Sequence, residues 1–138
     1  MRTYDVEKVK AATAQYAEEI VGFDPEEWLS DPLNIALIND NEDIALFENQ
    51  IAATNAVCGH YFFFSRGKEA VKAATQFLRE IFCYDVQTIV GITPEDNKGA
   101  IWMNRRLGFK EYGQVATEVG PCRLVVLTKK EWEQINNE

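Results

Sequence analysis

Residues Asn97–Gly113 have the sequence NKGAIWMNRRLGFKEYG, and this stretch decides the fold. Asp96 or Asn97 can cap a helix here, because either side chain can accept hydrogen bonds from the free amides of a first turn. Apolar residues continue at helical spacing as far as Leu107. Gly108 is typical of the position that ends a helix. The stretch therefore predicts a helix that ends in a tight turn.

Two strands and a helix are expected before this stretch. Residues 56–64 are too rich in aromatic side chains for a strand with one wet face, which predicts a central strand. Apolar residues at helical spacing over residues 67–82 indicate the clearest helix of the chain. Residues 88–92 form another buried strand, which Thr93 and Pro94 interrupt. The order predicts two strand–helix–strand crossovers in the second half of the chain.

The remaining elements complete an α/β arrangement. Asp5 and Asp24 are the expected caps of two early helices. The other predicted elements are a helix over residues 5–20, a short helix from Pro25, a hairpin of residues 34–38 and 44–47, strands at about 110–119 and 123–128 with Gly120 and Pro121 turning the chain between them, and a closing helix over 129–135. We expect an α/β fold with a mixed sheet in a single domain, residues 1–138.

Composition excludes several classes of protein. The chain has 138 residues, of which 46% are hydrophobic and 26% charged, so it can bury a core and is not disordered. Its net charge is -8, which is the wrong sign for holding a nucleic-acid backbone. No apolar run reaches the length of a membrane helix, and the N-terminus has no hydrophobic signal region. We therefore expect an acidic, cytoplasmic protein with no nucleic-acid or membrane partner.

Cysteine and histidine are too few and too scattered for a metal cage. The three cysteines, Cys58, Cys83 and Cys122, lie far apart and show no CxxC pairing, so neither a disulfide framework nor a zinc site is indicated. The chain has a single histidine, His60. We expect the cysteines to be small buried hydrophobic residues, and we expect no bound metal.

The helix stretch also resembles a known family. Asn97, two residues, Ala100, then Leu107-Gly108-Phe109 and a nearby glycine are similar to the second conserved block of the GNAT superfamily, the acyl-CoA-dependent N-acyltransferases. The order of elements from Asn34 onward is similar to the GNAT core, about three quarters of the chain. The family's first strand would lie near residues 1–4. The resemblance implies a mixed, mostly antiparallel sheet flanked by helices.

The resemblance also implies a CoA site where a strand enters a helix. The family pattern there is Arg or Gln, two residues, Gly, one residue, and Gly or Ala, and its amides wrap the CoA pyrophosphate. The matching stretch begins at Arg66, but Glu69 and Val71 stand where the pattern has its small residues, and a carboxylate repels a phosphate. The residues implied to contact acetyl-CoA, or another acyl-CoA, are Phe63, Phe64, Arg66, Gly67, Lys68, Ala70, Asn97 and Arg105. The stretch from Arg66 to Lys68 is either a phosphate cradle or only a helix start, and Arg105 either contacts a phosphate or only complements the helix dipole.

The implied catalytic residues are His60 and Asn104. Asn104 stands where many family members have a tyrosine that protonates the departing thiolate, and an amide cannot do so. The imidazole of His60 can accept a proton near neutral pH, but a lone histidine among apolar residues is also typical of a hydrogen-bonded core position. Carboxylates near the hairpin are either a catalytic base or solvated surface acids: Glu42, Asp43 and Glu48. The aromatic run from Tyr61 to Phe64 is expected to be sheet core, and any exposed part of it would indicate a partner surface.

Two functions are compatible with these residues. The first is an N-acyltransferase that uses acyl-CoA and an amine substrate. The second is a non-catalytic protein of the same fold that binds a protein partner. The sequence is similar, in size, in acidity and in its altered CoA motif, to small bacteriophage proteins of this fold, and that resemblance implies a virion or assembly component. Glu69, Val71 and Asn104 favour the second hypothesis, whereas the stretch from Asn97 to Phe109 indicates only the fold.

Overall fold

The computed structural model describes residues 1–14, 23–51, 55–118 and 120–136. The described residues form five helices and six strands. The helices are α1 (Val6–Thr13), α2 (Pro25–Ser30), α3 (Lys68–Ile81), α4 (Lys98–Leu107) and α5 (Lys129–Asn136). The strands are β1 (Ile35–Ile38), β2 (Ile44–Ile51), β3 (Ala56–Phe62), β4 (Thr88–Pro94), β5 (Lys110–Thr117) and β6 (Gly120–Thr128).

The six strands form one mixed sheet in the order β1-β2-β3-β4-β6-β5. Only β3 and β4 pair in parallel, and α3 connects them; every other neighbouring pair is antiparallel. The second crossover, through α4, connects β4 to β5 with β6 between them. The expected mixed, mostly antiparallel sheet is confirmed, and so is the central position of β3.

The chain begins beside β1. Arg2 forms an isolated antiparallel bridge with Leu37, and the Thr3 amide donates to the Ala36 carbonyl at 2.9 Å. This bridge lies where the resemblance places the family's first strand, here reduced to a single pair.

The core has two parts, one on each face of the sheet. One packs α3 against the sheet through buried residues such as Phe77 and Leu78, which meet Phe47 and Ile89. The other packs Val9 and its helix against the opposite face. The separation follows from the period of two along each strand, which sends alternate side chains to opposite faces. Fully burying one such side chain contributes about 1.5–3 kcal/mol, so both faces stabilise the fold.

Local sequence sets the helix ends. Asp5 and Asp24 accept hydrogen bonds from the first-turn amides of α1 and α2, and Asn97 does so for α4. Gly108 ends α4 with φ of 96°, a conformation that favours glycine. These predictions are confirmed. The predicted continuation of the first helix over residues 15–20 lies outside the described residues.

Two predicted chain breaks are wrong. Thr93 and Pro94 are the last two residues of β4, and Gly120 and Pro121 are the first two of β6. The hairpin turn lies before Gly120, which pairs with Thr117. Proline is tolerated at both places because a missing N–H is least disruptive at the end of a strand.

The prediction of buried cysteines holds only for Cys122. Cys58 is half-buried, and Cys83 is exposed in the turn after α3, with its thiol directed at the Arg79 carbonyl. The aromatic run is also less buried than expected, since Tyr61 is only partly buried and Phe64 is 41% exposed. Phe64 is exposed because it follows the end of β3, so the alternation of side chains between the two faces of the sheet no longer determines where it points. Among the described residues, no helix has the length and apolar character needed to cross a membrane.

Candidate functional site

The two parallel strands at the centre of the sheet separate along their length. β3 and β4 pair over three residue pairs, the last of which joins Cys58 and Val90. Beyond that pair, β3 stays paired with β2 and β4 stays paired with β6 to their ends. The facing backbone edges are therefore not paired with each other in this part of the structure, and they can bond a ligand. We call the space between residues 59–62 and 91–94 the central cleft.

The closed end of the central cleft is packed around two glycines. A Cβ atom on Gly59 would lie 3.2 Å from the Tyr61 hydroxyl oxygen, and one on Gly91 would lie 3.0 Å from Val125 Cγ2. The Tyr61 hydroxyl is itself buried and has no hydrogen-bond partner among the described residues. Burial raises the pKa of Tyr61 well above its ordinary value, so the group stays a neutral phenol.

The segment between β3 and α3 lies at the open end of the cleft. Gly67 precedes α3 with φ of 58°, and no described side chain caps the first turn. A helix N-terminus with free amides is an anion site. Gly67 and Lys68 are exposed there, which is compatible both with a phosphate cradle and with a helix start. The Arg66 guanidinium donates to the carbonyls of Phe63 (2.6 Å) and Ser65 (3.0 Å) and so folds back on the segment between β3 and α3.

Asp43 holds this segment against the β1–β2 hairpin. Its carboxylate is 0% exposed. One oxygen accepts from the amides of Phe64 (2.7 Å) and Ser65 (2.8 Å), and the other accepts from the Ser65 hydroxyl (2.6 Å) and the Asn39 amide (3.0 Å). Burial alone raises the pKa of Asp43, but these hydrogen bonds outweigh it and lower the pKa below its ordinary value. The interpretation of Asp43 as a solvated surface acid is wrong, because the chain before α3 folds over it.

The two departures from the family pattern lie in the first turn of α3. Glu69 is exposed and lines a cavity of about 190 Å³ shared with the hairpin loop and with Lys72. Its charge complements the helix dipole at the place where a bound phosphate would do the same. Val71 is half-buried, and its amide already donates to the Gly67 carbonyl at 3.2 Å. Ala70 is buried, so only its backbone can face a ligand.

The predicted residues of α4 all have partners within the protein. The Asn97 side chain accepts from the Ala100 amide at 3.1 Å, and the Arg105 guanidinium donates to Glu111 at 2.8 Å. Hydrogen bonding from Arg105 lowers the pKa of Glu111. The Asn104 amide donates to the Thr93 hydroxyl at 2.8 Å and so ties α4 to β4 beside the central cleft. This position therefore holds a hydrogen-bond donor but no acid.

His60 lies on the face of the sheet that packs against α1, opposite to the face that packs against α3. Phe62 packs on the α1 side, and residues two apart on a strand share a face, so His60 points to that side too. Its side chain is 46% exposed, with Nε2 3.6 Å from a Glu48 oxygen and 3.8 Å from the Cys58 sulfur. The hypothesis of a core histidine is wrong, because nearly half of the side chain is exposed to solvent at a point where β3 has left β4.

Glu48 is half-buried rather than fully solvated. Its other oxygen accepts from the Trp28 indole at 2.8 Å. Because Glu48 and Cys58 approach the same nitrogen of His60, the three do not form a relay from thiol through imidazole to carboxylate. Burial and the charge of Glu48 raise the pKa of Cys58, which keeps it a thiol. Glu42 is exposed, which agrees with the interpretation as a solvated surface acid. In the described part of the chain, no group of three or more His, Cys, Asp or Glu side chains could hold a metal ion.

The sequence did not reveal two features of this site. Asp43 stands among turn-forming polar residues, and the only indication of a different role is that it directly precedes the apolar run of β2. The pairing of Trp28 with Glu48 joins residues 20 apart in the chain, and no local pattern predicts it.

The fold matches solved acetyltransferases. No protein-family model matches the sequence, and no curated protein matches it. A chimera of the spermidine N-acetyltransferase SpeG from Vibrio cholerae and hSSAT superposes with a TM-score of 0.76 at 11% identity, covering 96% of each chain. RimJ from Mycobacterium smegmatis, in complex with CoA-disulfide, gives 0.66 at 17% identity over 90% of this chain and 76% of that one. A probable GNAT acetyltransferase from Chromobacterium violaceum gives 0.70 at 14% identity over 96% and 83%. The expected fold is confirmed: this chain has the fold of the GNAT acetyltransferases.

Proposed function

We propose that this protein is an N-acyltransferase that moves an acyl group from acyl-CoA to an amine. The observation that carries the proposal is the central cleft, which opens beside the uncapped N-terminus of α3. An elongated ligand with a phosphate at one end fits this arrangement, because the helix amides attract the anion and the unpaired strand edges can bond the arm. Acyl-CoA would supply the activated thioester.

The segment before α3 supplies most of the contacts proposed for CoA. Gly67 allows close approach of the backbone, and Arg66 and Lys68 add positive charge to an otherwise acidic chain. Phe63 and Phe64 lie just beyond β3, where they can cover the arm of the ligand. The solved RimJ structure holds CoA-disulfide in a protein of the same fold, which supports the choice of ligand.

His60 is the residue we propose as the base for the amine. Its ring is exposed beside the central cleft, and Glu48 lies close enough to stabilise the imidazolium that proton transfer creates. The lone pair of the neutral amine would form the new C–N bond at the acyl carbon, while backbone amides along β3 would polarise the carbonyl. The C–S bond would then break, and CoA would leave as a thiolate that takes its proton from water. SpeG is named for an acceptor amine, spermidine, which supports an amine acceptor without identifying it.

A non-catalytic role is the second candidate, and two residues favour it. Asn104 offers no proton to a departing thiolate, and Glu69 places a negative charge in the first turn of α3. A protein that kept this fold for a partner surface would tolerate both residues.

The test is the release of free CoA thiol from acetyl-CoA in the presence of a panel of primary amines and polyamines. We expect amine-dependent release, and we expect His60→Ala to lower kcat by about a hundredfold, the usual contribution of a general base. Gln134→Ala, at an exposed position of α5, serves as the matched control and should leave the rate unchanged. No amine-dependent release, from a wild-type protein that binds acetyl-CoA, would favour the non-catalytic role.

A further inference from the structure

The buried carboxylate of Asp43 points to a function beyond stabilising the hairpin. Asp43 precedes β2, and both of its oxygens are bonded, with three of the four donors in Phe64 and Ser65. These two residues belong to neither β3 nor α3. We propose that Asp43 is a positioning residue for the phosphate-binding turn: it sets where the first amides of α3 point. This inference rests on the proposed function.

The turn is also held from within, because the Arg66 guanidinium donates to the carbonyls of Phe63 and Ser65. After Phe62 the chain leaves the sheet, passes through Gly67 with φ of 58° and enters α3 without a side-chain cap among the described residues. Bonds within the turn do not fix its position relative to the hairpin, whereas the bonds to Asp43 do. One Asp43 oxygen accepts from two consecutive amides, and these two bonds fix the orientation of the two peptide planes that flank Phe64.

The hairpin side of this contact is rigid. The Asn39 side-chain oxygen accepts from the amides of Asn41 (3.0 Å) and Asp43 (2.9 Å), while its amide group donates to the Asp43 carboxylate. The Asn39 backbone amide also donates to the Asp43 carbonyl at 3.2 Å. Asn39 from the hairpin loop and the amides of Phe64 and Ser65 from the turn thus all bond the Asp43 carboxylate. These bonds fix the position of the side chain.

The arrangement divides the backbone donors between two anions. Asp43 takes the amides of Phe64 and Ser65, and the amides of the first turn of α3 are left for a ligand. The four donors on Asp43 stabilise its negative charge, so the carboxylate stays ionised and keeps its hold on the turn. Small displacements of groups that contact a ligand are costly in affinity and rate.

The experiment compares a ligand that carries the phosphorylated nucleotide end of CoA with one that lacks it. Acetyl-CoA has the pyrophosphate and the 3′-phosphoadenosine, whereas S-acetylpantetheine has neither, and the affinity of each is measured by calorimetry for wild type and Asp43→Asn. We expect Asp43→Asn, in which an NH2 group faces donors, to weaken acetyl-CoA binding by about tenfold or more and to leave S-acetylpantetheine unchanged. Asp85→Asn removes an exposed carboxylate beyond the C-terminal end of α3, away from the turn, and should change neither affinity.

Unchanged acetyl-CoA affinity in folded Asp43→Asn would overturn the inference, and so would an equal loss for both ligands, which indicates general loosening. If Asp43→Asn does not fold, Ser65→Ala replaces it as the test, because this variant removes one hydrogen-bond donor and leaves the carboxylate in place. We expect Ser65→Ala to weaken acetyl-CoA binding about threefold and to leave S-acetylpantetheine binding unchanged. An unchanged acetyl-CoA affinity in Ser65→Ala would overturn the inference. Failure of the wild type to bind either ligand would be failure of the proposed function itself, and it is seen before any variant is made.

Discussion

Glu69 is the residue whose charge most directly opposes the proposed ligand. It lies in the first turn of α3, where a phosphate would receive the helix amides. Two unit charges about 4 Å apart in water interact by about 1 kcal/mol. We expect Glu69→Gln to tighten acetyl-CoA binding by about three- to tenfold, measured by calorimetry. Glu133→Gln, an exposed change on α5, should have no effect. Equal affinities for Glu69→Gln and a wild type that binds would show that the phosphates lie elsewhere.

Tyr61 offers a test at a second residue. Its hydroxyl is buried without a hydrogen-bond partner among the described residues, and an unsatisfied buried polar group costs about 1–3 kcal/mol. Tyr61→Phe should therefore raise the free energy of unfolding by about 1 kcal/mol in a urea titration. Tyr112→Phe, at a position 62% exposed, is the control and should be neutral. A clear loss of stability in Tyr61→Phe would mean that the hydroxyl has a partner in solution.

Helix α4 tests the element that decided the fold. A Cβ on Gly108 would lie 2.5 Å from Ile135 Cδ1, at a φ that other residues rarely adopt, whereas one on Gly99 would have only the Asn97 oxygen, at 3.9 Å, within contact range. We expect Gly108→Ala to cost about 1–2 kcal/mol and Gly99→Ala to be neutral or stabilising by up to about 1 kcal/mol, because alanine favours helix. Thermal and urea unfolding measure both. Equal effects of the two substitutions would contradict this assignment of the helix end.

The elements were predictable to the extent that local sequence determines them. Caps at Asp5, Asp24 and Asn97 and apolar spacing in α3 predict the helices, because both act within a turn or two of chain. The separation of β3 from β4 could not be predicted, since it depends on pairing between distant strands rather than on either sequence. The contacts of Asp43 and the exposure of His60 follow from that separation and from the path of the chain after β3, so they were missed for the same reason.

At the scale of the whole molecule, acidic residues determine the response to pH. Hydrogen bonds from Arg123 lower the pKa of Glu95, and hydrogen bonds from Lys110 lower the pKa of Glu131. Burial raises the pKa of Asp43, but the hydrogen bonds that its carboxylate accepts outweigh burial and lower that pKa. A carboxyl group with a folded pKa below its unfolded value of about 4 stabilises the protein above that pH, and the contribution is lost as pH falls through the folded pKa.

We therefore expect the melting temperature to change little between pH 7 and about 5, because most carboxyl groups stay ionised over this range. Below about pH 4 the melting temperature should fall steeply, because the carboxylates that accept these hydrogen bonds become protonated. Differential scanning calorimetry across this range measures it. The Asp43→Asn variant should lose less on acidification than wild type, because it has already lost one of these contributions. A melting temperature that stays constant from pH 5 to pH 3 would contradict the assigned hydrogen bonds.

The proposed function depends on one binding event. We would titrate the purified protein with acetyl-CoA by calorimetry and follow thermal melting alongside, since a ligand that binds the folded state stabilises it by about 2.7 kcal/mol at a hundred times Kd. The proposal predicts one site with a Kd of about micromolar order and a raised melting temperature. If about millimolar acetyl-CoA, a thousandfold above that Kd, gives no heat of binding and no shift in melting temperature, the proposed function is contradicted. The non-catalytic role, in which the fold serves to bind a protein partner, would then be favoured.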